Sequence, residues 1–385
     1  MPWQERTPME RRRQFIEDWL TQLWTMSELC AAYDVSRKTG HQLVNRFGAE
    51  GWAAVVERSR RPHRTSPPIP PAVVARVLTL RGRHPRWGAR KLRGRLVRRE
   101  PTVAWPSQTA IHRLLHQAAL VGGAPPRRAL PPVRSGRLRR AEAPNDVWTV
   151  DFQGDFWLGS GQRCYPLTLR DLASRYLLRC DALAAPDGSE TRRRFERAFA
   201  TFGLPSCIRS DNGEPFAGPG LAGLSQLNIW WLRLGIAIEH IAPGRPQQNG
   251  AHEQFHRVLR AETTRPPAAT HQRQQVCYDR FGHEYNEERP HAALNDDVPA
   301  DYYQPSPRRY PQRVPPVEYP GHWEPRRVGA NGRISFGGGS IFLSRALAQE
   351  WVALEEIDDG LWTIFFATVP LARWVAREHR LRPAS

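Results

Sequence analysis

The sequence predicts all-α helix-turn-helix units at the front, a mixed five-stranded α/β domain in the middle, and a small all-β barrel at the end. Three observations predict it. Capped segments with helical period fill residues 10–123, three strand-like runs followed by alternating helix and strand begin at residue 145, and residues 329–385 alternate in short strands with turns at Gly-Gly-Gly and Asp-Asp-Gly. A chain of 385 residues is long enough for roughly two to four domains and one core of catalytic size.

In residues 10–24, Phe15, Ile16, Trp19, Leu20 and Leu23 recur at helical spacing. Ser27 is expected to cap a short helix carrying Leu29, Ala32 and Tyr33. Asp34, Val35 and Ser36 make a turn, and Ser36 caps a second helix with Leu43, Val44 and Phe47 inward. With Arg37, Lys38, His41 and Gln42 on the outside, this is the helix-turn-helix pattern, whose second helix enters a major groove; a plain three-helix bundle would look similar. Gly40 is expected to weaken that helix by roughly 1 kcal/mol relative to Ala. These residues form a first domain, 1–60. After a Pro/Arg linker over 58–71, a second helical unit over 70–123 carries Val74, Val77, Leu78, Leu92 and Leu96, then a helix capped by Ser107. Arg86, Arg90 and Lys91 are its candidate DNA contacts.

Net charge is +18, and Lys38 and Lys91 are the only lysines. The arginine fork suits phosphate, so a polyanionic partner follows. Genome base composition would account for Arg replacing Lys, but not for the excess of base over acid. Between Arg76 and Arg140 there are seventeen Arg or Lys and one acid, Glu100, a run that repels itself without counter-ions and therefore fits a phosphate backbone. Its last part, a linker over 124–144, brings Arg137, Arg139 and Arg140 as further candidates. The five cysteines contain no Cys-x-x-Cys pair, which argues against a disulfide framework or a structural zinc site and suits a reducing cytoplasm. With no long apolar run and no signal peptide, a soluble intracellular protein with no membrane partner is expected.

From residue 145, "NDVWTVDFQGDFWL" reads as a strand and "RCYPLTLRDLASRYLLRCDAL" as two more. "SETRRRFERAFATFG" reads as a helix with Phe195, Ala198, Phe199 and Phe202 on one face. Strand "SCIRSD", a Gly-rich loop and helix over 217–234, strand "IAIEHIAP" and helix "AHEQFHRVLRAET" complete the domain. Asp151 lies in the first strand and Asp211 ends the fourth. In a sheet of this order those strands are neighbours, and Glu253, one turn into the last helix, can reach the same edge. Three hard oxygen ligands with open positions suit Mg²⁺, and two such ions would serve both the attacking and the leaving oxygen. Asn249, His256, Arg257 and Arg260 fall on the helical face of Glu253, where the arginines can grip phosphates. Taken singly, Asp-Asn-Gly is a turn, Asp151 a polar strand residue and Glu253 a surface acid. Glu239, 28 positions after Asp211, is a rival third acid for Glu253, 42 positions after it.

Residues 145–304 resemble the integrase catalytic core of the retroviral-integrase superfamily, above all the DDE transposases of bacterial insertion sequences. The resemblance rests on "VWTVDFQGDF", "IRSDNGEPFA", "IAPGRPQQNGAHEQFHRVLRAE" and "YNEERPHAALNDDVPADYY", the last placing Asn286, Arg289, Pro290 and His291 in a Tyr-Asn-x-x-Arg-Pro-His segment. "SELCAAYDVSRKTGHQLVNRF" and "HPRWGARKL" resemble the paired helix-turn-helix units ahead of it. The resemblance implies a ribonuclease-H-like fold with Asp151, Asp211 and Glu253 as a triad for two Mg²⁺ ions, Mn²⁺ being an alternative. It also implies hydrolysis at the element ends, attack of the freed 3′-hydroxyl on target DNA without a covalent protein–DNA intermediate, recognition of terminal inverted repeats, and a homo-oligomer (dimer or tetramer) on double-stranded DNA. A domesticated DNA-binding regulator and another metal nuclease of the same fold are the competing readings.

Overall fold

The computed structural model describes residues 7–58, 68–121, 138–241 and 250–384. Arg137 and Asn249 lie outside the described residues. The chain divides into two compact units, residues 1–69 and 70–385, each taken by itself.

In the first unit, α1 (Pro8–Leu20) opens with a reciprocal cap: the Thr7 hydroxyl accepts from the Glu10 N–H, and the Glu10 carboxylate accepts from the Thr7 N–H. α2 (Met26–Ala32) opens the same way on Thr25 and Glu28. The cap is therefore Thr25 rather than Ser27: the box needs a Glu three residues on, and Ser27 has Cys30 there. Ser36 caps α3 (Arg37–Glu50) as expected. Phe15, Ile16, Leu29, Cys30 and Val55 form the core, with Trp19, Tyr33, Leu43, Val44 and Phe47 packed on it. Because α1 stops at Leu20, the expected inward Leu20 and Leu23 are exposed, and so is Ala32. Arg37, Lys38, His41 and Gln42 are exposed along α3.

Gly40 has a positive role that the sequence did not suggest. It is buried where α3 crosses α2, and a Cβ there would stand 2.4 Å from Cys30 Sγ.

The second unit begins with α4 (Pro71–Arg83), α5 (Ala89–Arg99) and α6 (Gln108–Gln117) around Val77, Trp87, Leu92, Leu96 and Ile111. The basic face of α5 meets acids of residues 288–301. Arg90 Nε donates to Asp296 at 2.7 Å, Arg95 pairs with Glu288 at 2.9 Å, and Arg98 Nη2 donates to Asp301 at 2.7 Å. Lys91 is held down to about 8 by burial, with Arg289 beside it opposed by Glu262.

The central sheet runs in the order β4-β3-β1-β5-β6. β1 (Val147–Phe152), β3 (Arg163–Asp171) and β4 (Leu177–Leu183) are antiparallel, and β5 (Cys207–Ser210) and β6 (Ala237–His240) join parallel to β1. The run expected as one first strand breaks after Phe152, with Gly154 at φ +87°, and resumes as a two-residue β2 (Phe156–Trp157) on the far end of β3. Strand alternation sends Trp148 and Val150 to one face, against α7 (Gly188–Phe202) and α8 (Gln226–Arg233). Thr149 and Asp151 face the other side, which α9 (Gly250–Thr263) and α10 (His271–His283) cover.

The tail is all-β. β10 (Trp351–Asp358), β11 (Leu361–Phe366), β12 (Val369–Val375) and β13 (Arg380–Pro383) form a sheet with β7 (Glu324–Arg327), in the order β13-β12-β11-β10-β7, and β8 (Arg333–Phe336) and β9 (Gly339–Phe342) form a hairpin over it. The five-stranded sheet and its hairpin make up the small all-β C-terminal domain that the sequence predicts. Its core takes in Leu224, Ile229 and Leu232 from α8 and the loop before it, which seals the sheet to the central domain.

The Gly40 contact gives a stability test. Gly40→Ala gains about 1 kcal/mol of helix propensity but overpacks Cys30, which costs about 1–3 kcal/mol. We expect a lower melting temperature for the variant, recovered in Gly40→Ala/Cys30→Ala; a single variant that melts higher than wild type would refute the close crossing.

Candidate active site

Asp151 is the fifth residue of β1, and its register partner across the antiparallel ladder is Thr168 of β3, so both side chains share the face covered by α9. Asp211 is the first residue past β5, beside the end of β1. Its Oδ1 is buried with no hydrogen-bond partner among the described residues, its carbonyl oxygen lies 3.2 Å from His240 Nδ1, and a Cβ on Gly213 would stand 3.1 Å from its Oδ2. Glu253 is exposed in the first turn of α9. The Asp151 carboxyl is pushed up to about 7, first by burial, then by Asp211, and further by Glu253. A buried carboxylate oxygen with no donor among the described residues, one strand away from the buried Asp151 carboxyl, fits a divalent cation with hard oxygen ligands.

Beneath the acids lies a polar network centred on Thr168. Its Oγ1 is 3.0 Å from the Asp151 carbonyl oxygen and 2.7 Å from Nε2 of both His252 and His256. His252 Nδ1 is 2.9 Å from Thr149 Oγ1. Burial, with help from the neighbouring His256 and Arg170, holds His252 well below the ordinary histidine range, and burial with Arg170 and Arg260 takes His256 down to about 3, so both rings are neutral. Buried Arg170 anchors the start of α9 by donating to the Ala251 carbonyl at 3.1 Å and lying over Phe255 at 4.4 Å.

The other candidates divide. His256 does not share the outer face of Glu253; its ring turns inward, 3.9 Å from Asp151 Oδ2. Arg260 donates to the Gln153 carbonyl at 2.9 Å, and the Gln153 amide donates to the His256 carbonyl at 2.7 Å. Arg257, Arg86, Arg139 and Arg140 are exposed; Arg90 is also exposed but paired with Asp296, and Lys91 is half-buried beside Arg289 and Glu262. Glu239, the rival third acid, is bound to Arg209, its register partner on β5, at 2.9 and 3.0 Å and accepts the Arg139 N–H at 2.9 Å. Its strand neighbour His240 is the one turned towards Asp211.

The Tyr-Asn-x-x-Arg-Pro-His segment is a brace. The Asn286 amide pairs with both main-chain groups of Leu177, Arg289 donates to both carboxylate oxygens of Glu262, and Pro290 packs on Gly94. The residues that sequence reasoning missed are Thr168, Thr149 and His252. The i, i+4 spacing of His252 and His256 around Glu253 was the available signal; nothing local marks the threonines.

Comparison with known proteins bears on this site. Integrase core domain models match residues 141–246 and 234–299, a helix-turn-helix domain model matches 11–63, and a homeodomain-like model matches 39–115. An uncharacterized 31.7 kDa protein of insertion element IS407 from Burkholderia multivorans is 30% identical over 233 residues, 60% of this chain and 80% of the relative. The chain belongs to the insertion-sequence transposases of the retroviral-integrase superfamily. A 39.2 kDa protein of insertion element IS476 from Xanthomonas euvesicatoria is 29% identical over 237 residues, 61% of this chain and 65% of that protein, a little under two thirds of its length. Among solved structures, a simian T-cell lymphotropic virus intasome in complex with PP2A regulatory subunit B56 gamma aligns with 17% identity over 76% of this transposase and 97% of that chain, at a TM-score of 0.38. The HTLV-2 integrase catalytic core in complex with magnesium aligns with 13% identity over 43% and 100%, at 0.34. The transposase thus joins helix-turn-helix domains to an integrase core domain. Among the described residues no helix is long and apolar enough to cross a membrane.

The raised Asp151 carboxyl sets a pH dependence. A carboxyl whose folded pKa of about 7 exceeds its ordinary 3.8 adds stability that is present below about pH 4 and is lost as pH climbs to 7. Without divalent ions at pH 8, Asp151→Asn is therefore expected to melt higher than wild type. The underlying scale is on the order of 1.4 kcal/mol per pKa unit, and the difference should close near pH 4. Mg²⁺ should raise the melting temperature of wild type and leave the variant nearly unmoved. A pH-independent gap would refute the coupling.

Proposed function

We propose that this transposase binds the terminal inverted repeats of its insertion sequence, hydrolyses the phosphodiester at the element's 3′ ends, and joins those ends to target DNA as a homo-oligomer. The observation that supports this reading is the buried Asp151 carboxyl, whose ionisation Asp211 and Glu253 both oppose, together with a buried Asp211 oxygen that has no donor among the described residues.

In this reading the three acids hold two divalent cations, Mg²⁺ or Mn²⁺, which supply activation of the attacking oxygen and stabilisation of the leaving one. Arg260, steadied by the Gln153 carbonyl, and exposed Arg257 lie along α9 beyond Glu253 and take phosphates of the bound strand. In the joining step the freed 3′-oxygen forms a bond to a target phosphorus as the bond from that phosphorus to the target 3′-oxygen breaks, so one phosphodiester replaces another.

Sequence reading belongs to the helical segments. Arg37, Lys38, His41 and Gln42 line the outer face of α3, the second helix of its motif. In the second segment α5 spends Arg90, Arg95 and Arg98 on acids of the core, which leaves the exposed Gln108, Thr109, His112 and Arg113 of α6 as the base-contacting face. Arg86, Arg139 and Arg140 add phosphate contacts.

The test is strand transfer of a labelled duplex bearing the element's end, comparing wild type with Glu253→Gln and Glu239→Gln. Loss of one metal-binding acid removes several kcal/mol of transition-state stabilisation, roughly 10³-fold in rate. Glu253→Gln should be inactive while Glu239→Gln keeps most activity if its fold survives loss of the Arg209 pair. A dead Glu239→Gln beside an active Glu253→Gln would overturn the triad. Wild type that binds the end without cutting would favour a regulator.

A further inference from the structure

We infer that His256 is a further ligand of the metal site, coordinating through Nδ1 the same ion as Asp151. This rests on the metal-binding reading of Asp151 given above.

The argument begins with the protons around Thr168. Its hydroxyl has one proton and two lone pairs, and it meets three partners: the Asp151 carbonyl oxygen, His252 Nε2 and His256 Nε2. A carbonyl can only accept. The one assignment that satisfies all three contacts sends the hydroxyl proton to the carbonyl and has both histidines donate through Nε2–H. Each neutral ring then carries a bare lone pair on Nδ1.

The two histidines differ in where that lone pair goes. His252 Nδ1 accepts from the Thr149 hydroxyl at 2.9 Å, a closer partner for that hydroxyl than the Arg170 carbonyl at 3.4 Å. With both ring nitrogens engaged and a side chain almost wholly buried, His252 has nothing to offer an ion. His256 Nδ1 instead faces Asp151 Oδ2 at 3.9 Å. At this separation the two lone-pair donors leave room for a cation that both could coordinate. Ligand atoms about 2.1 Å from a shared ion stand at most about 4.2 Å apart, so the spacing admits a joint ligand pair. Asp151, His252 and His256 also place their ligand atoms within 4.8 Å of one another, and the hydrogen-bond pattern selects His256 from the pair of histidines.

The surroundings match those of a metal-bound histidine, whose other ring nitrogen is fixed by a hydrogen bond. Here Thr168 fixes it, and the Gln153 amide holds the His256 carbonyl at 2.7 Å. An imidazole among carboxylates softens the site, so it should favour Mn²⁺ over Mg²⁺ more strongly than an all-oxygen set does.

The experiment uses the full-length protein with Mn²⁺ as the probe. Pulsed electron paramagnetic resonance should show ¹⁴N modulation from a directly bound imidazole, replaced by the ¹⁵N pattern in protein labelled only at histidine. His256→Gln should still bind Mn²⁺ without the modulation, weakened about tenfold or more, and with a smaller preference for Mn²⁺ over Mg²⁺. His252→Gln should keep the modulation. The labelled wild type carries the test even if a variant does not fold. Mn²⁺ bound in an Asp151-dependent way with no histidine coupling would overturn the ligand while leaving the metal site standing. Absence of any Asp151-dependent Mn²⁺ binding would overturn both.

Discussion

Mutual repulsion of like charges out of water is the constraint on which this transposase is organised. Burial, Asp211 and Glu253 all raise the cost of ionising Asp151, and no local sequence preference would produce that setting. Three features of the fold do so. Parallel pairing of β1 and β5 sets the two aspartates at one sheet edge, the hydroxyl of Thr168 joins β3 to both histidines of α9, and buried Arg170 pins the helix start. The scaffold must withstand this repulsion in the absence of cations, which is why so many hydrogen bonds converge on the first two turns of α9.

Positive charge is divided between two uses. Part of the arginine excess is spent inside the molecule: Arg209 on Glu239, Arg289 on Glu262, and Arg90, Arg95 and Arg98 on Asp296, Glu288 and Asp301. The planar fork suits such partly buried pairs. The second helical segment is thereby attached to the domain that holds the acids, and the loop and helix between β5 and β6 attach the C-terminal sheet through a shared apolar core. Residues 70–385 are one compact unit for these reasons. The helices, the acids and the tail are thereby held in one frame.

Much of the candidate site could be read in the chain itself. Strand periodicity, the Asp-Asn-Gly break after an apolar run and the Glu253 helix are local signals, and they carried both the sheet order and the three acids. The helical caps were legible as well, except where two candidates stood close: Thr25 prevailed over Ser27 because only Thr25 has a glutamate at the third position. What could not be read were contacts between residues far apart in sequence. Thr168 and His256 are 88 positions apart, Arg90 and Asp296 206, and no pattern of period 2 or 3.6 links such pairs.

The sequence by itself determined the order of elements, the basic character and the acids available for chemistry, because each depends on neighbours a few residues away. Tertiary structure alone decided how those residues are used. It turned His256 from the surface to the Asp151 carboxylate, committed Glu239 to Arg209, paired arginines of α5 with acids of residues 288–301, and made Gly40 a packing necessity rather than a weak point in a helix. The physical reason is common to all four. A side chain's partner is set by which strand or helix faces it after packing, and that depends on register and crossing, not on the residues beside it in the chain.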